Sequence, residues 1–161
     1  MTRESCEQEP PAEFDVDGML GRLAKWLRIL GFDAEYPVPG PRPGRIYLTG
    51  KKSCCVPEGI RIVSGDLMEQ LEQVFEETGI CADPALFLCR CIACNVQVRS
   101  ISKEDVVGRV PSRVLDMIDE FRQCASCGRI YWEGTHPVRM KLRLKAGGLD
   151  LFPAEDDPTT P

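Results

Sequence analysis

Apolar positions in the first half of the chain alternate between a period of two and a period near 3.6. Phe14-Asp15-Val16-Asp17 alternates apolar with acidic residues and predicts a short strand. Met19, Leu20, Leu23, Trp26, Leu27 and Leu30 then recur at helical spacing, and Gly31 suits a left-handed cap. Residues 32–36 predict a second extended piece. It runs into Pro37-Val38-Pro39-Gly40-Pro41-Arg42-Pro43-Gly44, where four prolines and two glycines forbid regular structure. Residues 45–49 and 60–64 predict two more strands, and Leu67, Met68, Leu71, Val74 and Phe75 share one face of a helix over 67–78. The order β-α-β-β-β-α favours an α/β fold with a mostly parallel sheet and helices packed on it. The Pro-rich connection is short for a parallel crossover of about a dozen residues.

From residue 85 the pattern changes to cysteine pairs separated by a helix over 112–121. Ser112 is its N-cap, and Val114, Leu115, Ile118 and Phe121 form its buried face. Lying between the pairs, this helix is expected to bring them together. The expected division is a flexible acidic start over 1–13, an α/β domain over 14–84, a cysteine module over 85–145 and a disordered acidic tail over 146–161.

Nine cysteines in 161 residues exceed what packing alone uses, and an odd number fits metal better than a disulfide framework. Cys91-Ile-Ala-Cys94-Asn95 and Cys124-Ala-Ser-Cys127-Gly128 are two CxxC knuckles, together the four thiolates of a closed tetrahedral zinc site. Asn and Gly after the second cysteines tolerate positive φ, which turns backbone amides toward the sulfurs. Cys89 is an alternative to Cys91 with a longer bite; Cys6, Cys54, Cys55 and Cys81 read as spare thiols. A closed four-cysteine site has no open position for water, so its expected role is folding.

The net charge of −5 conceals segregation. Between Gly18 and Val63 eight bases face three acids, a local net of +5, while acids collect at both ends. No apolar run approaches the roughly 18–20 residues of a membrane span. Residues 1–13 lack a basic region followed by an apolar one, so no secretory signal is expected and a reducing intracellular compartment, cytoplasm or nucleus, is.

Arg22, Lys25 and Arg28 share a helix face, and Lys51 and Lys52 sit in a loop. Together they suggest a surface for RNA or another single-stranded nucleic acid, or simply a solvated face. Arg139-Met-Lys-Leu-Arg-Leu-Lys145 alternates strictly, which on a strand puts its bases on one side; a helix scatters them. Tyr131 and Trp132 can stack on unpaired bases or pack behind a knuckle. His136, the single histidine, is a candidate for a phosphate contact or acid-base chemistry, or, beside Pro137, for a structural role. Asp17, at the end of the first strand, is either an N-cap or a metal-binding carboxylate, and Asp33 and Asp66 flank other strands of the same sheet.

The stretch from Phe14-Asp15-Val16-Asp17 to Gly31-Phe32-Asp33, then Arg45-Ile-Tyr-Leu-Thr49, Arg90-Cys91-Ile-Ala-Cys94-Asn95 and Cys124-Ala-Ser-Cys127 through His136, resembles the Mut-seven C-terminal ribonuclease family. That family is a PIN-like domain followed by a zinc ribbon. The resemblance implies a metal-dependent ribonuclease in which Asp17 and Asp33 lie near Mg²⁺ or Mn²⁺ ions that hydrolyse RNA, with Zn²⁺ on Cys91, Cys94, Cys124 and Cys127; Asp66 is this chain's candidate substitute for the family acid that Lys51 replaces. Two departures stand against it. The family commonly has Leu-Thr-Arg-Asp where this chain reads Leu48-Thr49-Gly50-Lys51, and a cation about 4 Å from a metal ion is repelled by about 4 kcal/mol per unit charge at an effective dielectric of 20. The Pro-rich loop replaces the helix the family places before that strand. The alternative function is therefore a catalytically deficient RNA-binding or protein-interaction module.

Overall fold

The computed structural model describes residues 11–52 and 59–150. The thiols Cys6, Cys54 and Cys55, most of the acidic start and most of the tail lie outside them. Among the described residues no helix is long and apolar enough to cross a membrane.

Four short strands, β1 (Glu13–Val16), β2 (Asp33–Glu35), β3 (Ile46–Thr49) and β4 (Gly59–Arg61), form one sheet in the order β2-β1-β3-β4, every pair parallel. α1 (Gly21–Ile29) follows β1 and α2 (Leu67–Thr78) follows β4. Period-two alternation decides the layers: Phe14, Val16 and Leu48 are fully buried against Leu23, Leu27, Leu67 and Leu71 of the helices, while Asp15 projects to the opposite face. Asp66 caps α2 by accepting from Met68 N (2.8 Å) and Glu69 N (3.2 Å).

Residues 36–45 carry the chain from β2 across to β3 as an irregular, Pro-rich strap of bends with one turn at 43–44. Val38 N donates to Val16 O (2.9 Å), and Arg42 and Arg45 from the strap pair with Asp15 on the face away from α1. The loop expected from composition is thus the parallel crossover itself.

Gly31 ends α1 at φ +94, and a Cβ there would lie 2.5 Å from the Leu86 carbonyl oxygen. Only glycine lets the segment leaving α2 lie on the end of α1, where Leu88 N donates to Ile29 O (2.8 Å). Beyond it β5 (Val98–Ile101), β6 (Phe121–Cys124) and β7 (Ile130–Trp132) form an antiparallel sheet in the order β5-β6-β7.

Three expectations change in this half. The helix expected over 112–121 is α3 (Ser112–Met117), preceded by Pro111 with no side-chain cap; Ile118 is already extended, and Phe121 opens β6, buried with Val106 and Val110. Its apolar spacing matched a helix because one turn of helix and a following strand reach the same small core. The two cysteine pairs are brought together by strand pairing, Val98 opposite Cys124, and not by that helix. The alternating basic segment is α4 (Thr135–Ala146), and not a strand. Met140 and Leu144, four apart, both reach the core of the parallel sheet, and Leu144 is fully buried there.

Candidate functional site

Cys91 and Cys94 lie on one tight turn and Cys124 and Cys127 on another, with Asn95 at φ 60 and Gly128 at φ 74 closing them. These positive φ values let the Cys94 amide point at Cys91 Sγ (3.4 Å) and the Cys127 amide at Cys124 Sγ (3.5 Å). All four sulfurs lie within 4.8 Å of one another, and Cys91 and Cys127 Sγ are 3.8 Å apart. A tetrahedron with Zn–S of about 2.3 Å has an edge of about 3.8 Å, so the donor set fits a structural metal such as zinc. Cys89 stays outside the cluster and accepts from Arg122 Nη1 at 3.6 Å. Tyr131 sits behind the first knuckle, donating to Cys91 Sγ (3.2 Å) and accepting from Ile92 N (3.1 Å). Burial pushes the Cys91 thiol up, but the hydrogen bonds from Tyr131 and from the amides of Cys94 and Ala93 outweigh it and bring Cys91 down to about 6. Cys94 is pushed up to about 11, first through its hydrogen bond with Cys127.

The second place of interest is the carboxyl edge of the parallel sheet. β2 lies on one side of β1 and β3 on the other, so chain connections diverge between β1 and β3, the position where ligands enter open α/β sheets. Asp17 stands there, 1% exposed. Its Oδ1 accepts from Met19 N (2.7 Å); its Oδ2 accepts from Gly50 N (3.0 Å) and from the Thr49 hydroxyl. Beside it a cleft of about 340 Å³ runs between α1, β4 and α2, lined in part by Met19, Arg22, Gly50, Val63 and Gln70.

A family model described as the Mut7-C RNAse domain matches residues 12–144. This chain belongs to that family. The comparisons with curated proteins and with solved structures returned no match.

In this Mut7-C RNAse domain the acids Asp17 and Asp33 stand apart. Asp33 opens β2 opposite Glu13, whereas Asp17 follows the far end of β1, roughly 13 Å away along the strands at about 3.3 Å per residue. The structure therefore does not bring Asp33 to Asp17; it binds Arg45 Nη2 (2.6 Å) and Asn95 Nδ2 (2.9 Å) instead. Asp66 is on the carboxyl edge, committed to capping α2. Lys51 is exposed, its amide donates to Thr49 Oγ1 (3.1 Å), and among the described residues no carboxylate is within ion-pair reach of it. Two divalent ions about 3.5–4 Å apart need several carboxylate oxygens. Among the described residues the edge offers such ions two carboxylates, Asp17 with three acceptor positions already filled and Asp66 with its Oδ1 engaged in capping α2.

Arg28 is also displaced from its expected role. It is 6% exposed and turns from Arg22 and Lys25 toward the first knuckle, donating through Nε to Ala34 O (2.8 Å) and through Nη1 to Ile92 O (2.8 Å) and Ala93 O (3.1 Å). Arg22, Lys25 and Lys52 are exposed, as is His136 in the first turn of α4. Trp132 is half-buried, its ring 6.3 Å from that of Phe121 in the ribbon core.

Sequence reading missed the ion cluster on the strap side. Asp15 is fully buried, and burial raises its pKa, but hydrogen bonds from Arg42 and Arg45 hold its carboxyl below the ordinary range. Asp33 is lowered likewise, burial being outweighed by bonds from Arg45 and Asn95. The signal was available: an acid at the centre of an apolar strand needs a partner, and Arg42 and Arg45 on the strap were cations without an assigned role. Because both pKa values are lower folded than unfolded, this stabilisation is complete above the ordinary carboxylate value near 3.9 and is lost as pH falls through the folded values. The destabilisation caused by Arg42→Ala, followed by urea unfolding, is therefore expected to be full at pH 7 and to shrink below about pH 4. A loss of equal size at pH 3 would show that Arg42 acts through something other than Asp15.

Proposed function

We propose that this chain binds single-stranded RNA at the carboxyl edge of its parallel sheet without hydrolysing it, with a zinc-loaded ribbon as a folding element. The observation that carries this reading is the distribution of acids: Asp17 alone is buried at the edge with its oxygens engaged, and Lys51 follows the neighbouring strand. Arg22, Lys51 and Lys52 supply cations for phosphates there. Met19 and Val63, 69% and 74% exposed at the cleft, offer apolar surface to an unstacked base.

A second reading, RNA hydrolysis, is favoured by the family and by Asp17 standing at the strand end. One assay separates them: cleavage and binding of single-stranded RNA with added Mn²⁺ or Mg²⁺ by the unsubstituted chain, Asp17→Asn and Lys51→Asp. Binding without cleavage in the unsubstituted chain is the expected result, with cleavage emerging in Lys51→Asp if the lost acid is the defect. Cleavage by the unsubstituted chain that disappears in Asp17→Asn would establish the nuclease instead.

A further inference from the structure

We propose that one flank of α4, together with α1, forms a phosphate track that leads single-stranded RNA from the ribbon to the sheet-edge cleft. This rests on the RNA-binding reading above and adds the path of the strand. Residues three, four and seven apart share a helix face, so His136, Arg139 and Arg143 line one flank of α4. Arg143 fixes which way that flank looks: its guanidinium carbon is 5.7 Å from the centroid of the Trp26 ring on α1. Arg22 lies one turn before Trp26 and Lys25 beside it, both exposed. α4 is held in this position at its last turn. Leu144 is fully buried in the sheet core, and a Cβ on Gly147 would lie 2.6 Å from the Met68 side chain at the start of α2. The same end of α2 contributes Leu67 and Gln70 to the cleft, and Arg22 lines it as well.

The charge balance identifies the partner. Neither α1 nor α4 contains an acidic residue, in a chain whose net charge is −5. Among the described residues Arg22, Lys25, Arg139 and Arg143 have no carboxylate within ion-pair reach. Uncompensated cations on two adjacent helices match a polyanion whose phosphates repeat along a line, and counterion release makes such binding steeply salt-dependent. The helical arrangement of the α4 bases is what puts Arg139 and His136 on the flank that carries Arg143 to α1.

The test is a salt titration of binding to a fluorescent single-stranded RNA by the full chain, followed by anisotropy. Each phosphate contact contributes about 0.7 to the log–log slope for single strands, so Arg139→Ala with Arg143→Ala is expected to lower the slope by about 1.4. Lys145→Ala, on the far flank of α4, is expected to leave it unchanged, and thermal melting of each variant checks folding. An unchanged slope in the double variant, or an equal fall in Lys145→Ala, would overturn the track while leaving RNA binding in place. Absence of RNA binding by the unsubstituted chain, including binding only to a polyglutamate control, would overturn the reading beneath it as well.

Discussion

Cys91→Ser or Cys124→Ser is expected to abolish the ribbon, and the purified protein to carry one zinc per chain. Both sulfurs are fully buried and each supplies a quarter of the donor set. Structural zinc supplies about 10–16 kcal/mol in small four-ligand modules, which exceeds the stability of most domains of this size. The apolar cluster around Val106, Val110 and Phe121 is too small to hold β5, β6 and β7 alone. Cys81→Ser, at an exposed thiol, is the control and should change stability by no more than about 0.5 kcal/mol. Metal analysis and thermal unfolding with and without a strong chelator provide the check. A metal-free chain that melts as the loaded one does would remove zinc from the account of this fold.

Arg28→Ala is expected to be the most damaging substitution outside the cysteines, at about 2–4 kcal/mol, because it leaves one buried and two part-buried carbonyls without their charged donor. Burial lowers the Arg28 pKa, and the charges of Glu35, Cys91 and Asp33 work against that; the guanidinium stays charged and is held by three carbonyls on two elements. Arg28→Lys should rescue little, because a single ammonium on a flexible stem cannot serve Ala34 O on one side and Ile92 O and Ala93 O on the other. Urea unfolding measures the loss, and the rate of zinc release should rise with it. The contrary result is equally readable: unchanged stability with weakened RNA binding would return Arg28 to the basic surface.

Much of this was legible in sequence because it rests on local chemistry. The knuckles were readable down to the positive φ at Asn95 and Gly128, since spacing, ligand type and backbone freedom are all encoded within five residues. The first strand and both helices of the parallel sheet were readable from period and β3 from its β-branched and aromatic run, while β4, expected over 60–64, lies at Gly59–Arg61. What depends on the meeting of distant segments was not. Arg28 stands at helical spacing from Arg22 and Lys25, and nothing local says that one of the three faces a knuckle more than sixty residues away. Asp33 looks like Asp17, an acid beside a strand, until the register places them at opposite ends of the sheet. The basic segment of α4 satisfied two periods at once, and the deciding contact, Leu144 in the core of the other sheet, is made across most of the chain.

Asn95 performs two tasks with one conformation. It closes the first knuckle, and its Oδ1 accepts from Ala34 N (3.0 Å) while Arg28 Nε takes Ala34 O, so the middle of the outermost strand, β2, has both backbone groups occupied. An uncovered strand edge is a template for intermolecular pairing. A metal on the four cysteines would therefore guard solubility as well as shape: loss of the ion is expected to loosen the Asn95 turn and uncover β2 for pairing with a second chain.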